Sequence, residues 1–90
     1  MKKNVRIGVY ISFSSETQKS DIENIFRNLG YEFIQGIFLS ERECNFIKDI
    51  EIDIDKVNSE LEALELRARN TLEKCGVKAI QLKFFGEYSN

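Results

Sequence analysis

The sequence predicts one α+β domain, and three observations carry that prediction. Apolar and polar side chains alternate from Val5 to Phe13, the period of a strand with one buried face. Apolar residues recur at spacings of three and four from Val57 to Cys75, the period of a helix lying on a core. At ninety residues, the chain has room for one such core and not for two, so residues 1–90 are expected to fold as a single domain.

In the first strand Val5, Ile7, Val9, Ile11 and Phe13 share one face, and Arg6, Gly8, Tyr10 and Ser12 the other. Ser14 and Ser15 follow as candidate helix caps, with Gln18 three residues after Ser15; Ser20 with Glu23 offers a second start. Ile22, Ile25, Phe26 and Leu29 then form an apolar stripe, and Gly30 stands where a left-handed residue ends a helix. Tyr31 to Leu39 reads as the second strand, with a bulge expected at Gly36. Ser40 to Glu43 reads as a polar connection, and Asn45 to Ile54 as the third strand.

Within the third strand Ile50, Ile52 and Ile54 alternate with Asp49, Glu51, Asp53 and Asp55, which places the acids on the face away from the core. Asp55 is expected to cap a long helix carrying Val57, Leu61, Leu64, Ala68, Leu72 and Cys75, with Gly76 as its stop. Val77 to Phe85 closes the pattern as a fourth strand, with Ile80, Leu82 and Phe84 inward and Ala79, Gln81, Lys83 and Phe85 outward. The order strand, helix, strand, strand, helix, strand, joined by right-handed crossovers, gives a ferredoxin-like βαββαβ sandwich. Its antiparallel sheet has spatial order 4-1-3-2, with both helices on one face. The other face stays open, and a homodimer through it would add stability.

Composition narrows the function classes. The chain has no histidine and a net charge of −2, and it shows no glycine-rich phosphate loop. A histidine base is therefore impossible, and a dedicated nucleic-acid binder, which needs clustered Lys and Arg, is disfavoured. Cys44 and Cys75 stand far apart outside any metal motif and read as reduced thiols, so no cofactor and no metal are expected. The basic start leads into a strand-like run too short for a membrane helix, so the expected location is the cytoplasm, with no membrane contact.

The acidic ladder of Asp49, Glu51 and Asp53 is the most specific feature. Same-face neighbours on a strand lie roughly 6.5 to 7 Å apart, too far to wrap a calcium or magnesium ion. A row of carboxylates on an open sheet does offer a basic protein the charge pattern it expects of phosphates. Tyr10 and Phe85, with Phe38, are candidates for the aromatic part of that partner-binding surface. The bland alternative is a solvated face neutralised by Arg6 and Lys83 through cross-strand ion pairs.

The segment Gly30-Tyr31-Glu32-Phe33-Ile34-Gln35-Gly36-Ile37-Phe38 resembles the second strand of two groups of ferredoxin-fold ribonucleases. These are the virulence-associated protein D type and the small CRISPR-adaptation subunit; the likeness covers about a tenth of the chain. The resemblance implies a shared fold. Those families place an aspartate at the end of the first strand, after an aromatic, where this chain has Tyr10-Ile11-Ser12; by their chemistry it would be inactive. The expectation is therefore a small non-enzymatic binding protein, of the inhibitor or immunity type, that neutralises a basic, nucleic-acid-handling protein. A divergent ribonuclease-like or regulatory ferredoxin-fold dimer is the alternative.

Overall fold

A computed structural model describes residues 2–14, 18–35 and 40–88. In chain order the elements are β1 (Lys2–Phe13), α1 (Lys19–Asn28), β2 (Glu32–Ile34), β3 (Glu43–Asp53), α2 (Val57–Lys74) and β4 (Ala79–Tyr88). The strands form one four-stranded sheet in the order β2-β3-β1-β4, antiparallel at every pairing. This is the expected order read from the opposite edge.

The odd-numbered residues of β1, Val5 to Phe13, are almost completely buried and form one cluster with Cys44 and Phe46 of β3. Ile22, Ile25 and Phe26 of α1 join that cluster, as do Val57, Ala68 and Leu72 of α2. Both helices therefore cover the same sheet face. The Phe26 and Phe46 rings stack with centroids 4.5 Å apart, and Tyr31 meets Phe26 edge-on at 5.5 Å.

Each helix ends as its glycine requires. Gly30 has φ +93° and Gly76 φ +74°, conformations that cost L side chains steric strain. The Tyr31 and Val77 N–H groups donate to the Phe26 and Leu72 carbonyls at 2.9 Å, so both ends are closed by Schellman bonding. Lys48 of β3 adds a cation at the end of α1. Its Nζ donates to the Leu29 carbonyl at 3.1 Å and stands 5.2 Å from the Tyr31 ring centroid.

The helix starts differ from expectation. The α1 N-cap is Gln18, without a side-chain cap bond; Ser20 lies inside the helix, and Ser15 lies outside the described residues. Asp55 does not cap α2, because Ile54–Lys56 wind into a 3-10 turn and the α-helix begins only at Val57. That turn also ends the alternation of β3. Ile54 is consequently exposed instead of inward, and Asp55 lies past the acidic row.

Two strands were expected with different limits and facing. Among the described residues β2 is Glu32–Ile34; Gly36 and Phe38 lie outside them. In β4, Ser12 pairs with Gln81 and Phe13 with Ala79, so Ile80 is an extra residue opposite the β1 end. This bulge reverses the facing before it. Ile80 is pushed out, to 68 % exposure, and Ala79 packs on the core, while Leu82 and Phe84 point inward as expected.

The two thiols give a direct check of this packing. Cys44 is buried in β3, and desolvation pushes its pKa up to about 11, whereas Cys75 is the exposed C-cap of α2 and not part of its buried stripe. A thiol reagent at neutral pH should modify Cys75 rapidly and Cys44 only after denaturant is added. Two equal native rates would contradict the β3 facing.

Candidate acidic docking face

The uncovered sheet face carries the even-numbered residues of β1 and the residues registered beside them. On the β3 side, Lys2 faces Asp53, Asn4 faces Glu51 and Arg6 faces Asp49. Arg6 is also the cross-strand neighbour of Glu87 on β4. The three predicted acids are thus brought together at one end of the face. Glu87 joins them as a fourth, because β4 runs past the expected end at Phe85 to Tyr88.

The Arg6 guanidinium grips Asp49 with two bonds, Nε to Oδ1 at 2.9 Å and Nη2 to Oδ2 at 3.3 Å. This hydrogen bonding holds the Asp49 carboxyl below the usual range and raises the Arg6 pKa. Both side chains are more than half exposed, so the pair orients charge more than it stabilises the fold. Asp53 is half-buried beside Lys2, while the exposed Glu51 has the neutral Asn4 as its cross-strand neighbour. An open depression of about 480 Å³ runs between Asn4, Arg6, Asp49, Glu51, Glu87 and Tyr88, with three carboxylates around one guanidinium.

Lys83 does not neutralise this end. It registers with Tyr10, four residues before Glu87, which is about 13 Å along the strand at about 3.3 Å per residue. The side chain flanking Arg6 on β4 is instead Glu87, an added negative charge. Only the Arg6 half of the expected neutralisation is present.

Phe85 occupies the next row and is half exposed. Its ring lies over Gly8, where a Cβ would collide with the ring carbons, so glycine at that position permits a flat aromatic surface beside the charges. Tyr10 stands one row further. Its hydroxyl donates to Glu43 Oε2 at 2.5 Å, and the Ser40 N–H donates to Glu43 Oε1 at 3.2 Å. The Glu43 carboxyl is lowered by the Tyr10 bond, and the Tyr10 pKa is raised by the same bond. Tyr10 therefore belongs to a polar cluster at the far end of the face, away from Asp49 and Glu51.

Among the described residues, no three His, Cys, Asp or Glu side chains are grouped to hold a metal ion, and no helix is long and apolar enough to cross a membrane. No family model, no curated protein and no solved structure matches the chain.

The lowered carboxyls give the acid limb of stability a direction. Asp49 and Glu43 are both held below their ordinary values, so the unfolded chain takes up protons first as pH falls through about 4. Their stabilisation is full above that pH and is lost below it. The melting temperature should fall on acidification, and Asp49→Asn with Glu43→Gln should flatten that fall. Parallel curves for wild type and variant would contradict the assigned partners.

Proposed function

We propose that the chain is a ferredoxin-like, non-enzymatic binding protein that docks a basic protein on the acidic end of its open sheet face. It acts in the cytoplasm in the manner of an inhibitor or immunity protein. The observation that carries this reading is the surplus of carboxylate on a face neither helix covers, with Glu51 beside a neutral neighbour and Asp49 and Glu87 around one Arg6. Such an arrangement attracts Lys and Arg at long range and orients them at contact. The Phe85 ring on Gly8 adds apolar area next to the charges, as interface centres do. A partner that handles nucleic acid has the complementary surface, because the groove that receives phosphates also receives a row of carboxylates.

Affinity capture followed by cross-linking and mass spectrometry tests the reading, with Glu51→Lys plus Asp53→Lys as the control bait. The expected result is a Lys- or Arg-rich protein held by wild type and released by the double variant, with cross-links on β3. Equal capture by both baits would overturn it.

A further inference from the structure

Among the described residues β4 hydrogen-bonds to β1 on one side only, so its ten residues form a sheet edge. An edge strand presents unpaired N–H and C=O groups to any chain able to match them. The bulge at Ile80 interrupts the start of this edge, and the Leu82 carbonyl accepts a long bond of 3.4 Å from Arg69 Nη2, which leaves it a second lone pair. Residues 82–88 continue in regular register with β1.

We propose that this edge pairs with the same edge of a second copy, antiparallel about a two-fold axis at Phe85. In that register Lys83 stands opposite Glu87 of the other copy, twice by symmetry, Leu82 opposite Tyr88, and Phe84 opposite Gly86. Opposite charges facing each other across strands attract, and like charges there repel. Centring the axis on Lys83 or on Glu87 sets like charges against each other. Centring on Phe84 sets Lys83 against Phe85 and Glu87 against Gln81, so neither charge is matched. The Phe85 register is the self-complementary one.

Local packing agrees with it. The Phe85 ring leans over Gly8 of its own chain, which leaves the axis open to its twin. Lys83, Phe85, Glu87 and Tyr88 are all exposed in the single chain. The axis runs perpendicular to the sheet, so the two open faces continue on one side as an eight-stranded sheet. Asp49 and Glu51 stay uncovered, whereas Phe85 and Glu87, which also border the docking face, lie at the seam, so docking by the dimer rests on the Asp49 and Glu51 carboxylates.

Light scattering and sedimentation of the full chain test the pairing, from low micromolar to near-millimolar concentration. Wild type should pass from monomer to dimer. Lys83→Glu alone and Glu87→Lys alone should each weaken the dimer by about tenfold, and the two together should restore it. Circular dichroism melts check that each single variant is folded. A wild-type monomer at every concentration, or a double variant as weak as the singles, would overturn the proposal. Loss of the dimer with Glu51→Lys plus Asp53→Lys, while the β4 variants keep it, would place the contact on the open face and overturn it equally.

Discussion

Phe46→Ala is expected to lower the free energy of unfolding by about 3 to 5 kcal/mol, a large share of the stability of so small a domain. Phe46 is 1 % exposed, pairs across the sheet with Val9, and lies between the stacked Phe26 ring and Phe33, whose centroid is 5.7 Å away. Truncation leaves a cavity bounded by both a helix and the central strand. Neither wall can move inward without breaking sheet or helix bonds. Urea denaturation should show a lower midpoint with an unchanged slope. The sequence pattern alone marks Leu64 and Ile52 as full core positions, each costing roughly 2 to 5 kcal/mol on truncation to alanine. Both are only partly buried at the margin of the cluster, so their losses should lie at or below the lower end of that range. A steeper loss for Ile52→Ala than for Phe46→Ala would show that the core is centred elsewhere.

β1 was legible because its alternation runs unbroken for nine residues, and a period of two with one apolar face has a single structural solution. Gly30 and Gly76 were legible for a similar reason, since each follows an apolar helical stripe at the position where φ turns positive. The bulge at Ile80 was not. Nothing local distinguishes Ile80 from an inward strand residue, because the extra residue is set by where the Phe13 end of β1 must meet Ala79. Asp55 carries a capping side chain, but the chain must first turn away from the sheet, and the 3-10 turn uses that residue for geometry. Of the candidate site, Asp49, Glu51 and Asp53 were legible from alternation. Glu87 was not, because the apolar alternation of the fourth strand stops at Phe85, while β4 continues to Tyr88 and its parity carries Glu87 beside Arg6. Strand adjacency alone puts Lys83 near the ladder, whereas the register sets it beside Tyr10.

Reversing the ladder should change association far more than folding. Glu51→Lys with Asp53→Lys replaces two carboxylates by two ammonium groups on a face no helix covers, and the Ile50 and Ile52 anchors on the opposite side are untouched. Attraction between such charges and a basic partner is screened beyond roughly 10 Å at 0.1 M salt, so its contribution is read most clearly at low ionic strength. A slowing of about tenfold or more is expected there, within the range that electrostatic steering spans. The double variant should also repel Lys2 locally, a surface effect that shifts the melting temperature little.

The measurement that bears most directly on the acidic docking face is the association rate of the captured partner against ionic strength, for wild type and for Glu51→Lys plus Asp53→Lys, with melting temperatures taken in parallel. The expected result is a wild-type rate that falls steeply with salt, a slower and flatter variant, and nearly equal melting temperatures. Identical rates and salt slopes, with a lowered melting temperature in the variant, would contradict the account and leave these acids as ordinary surface charge.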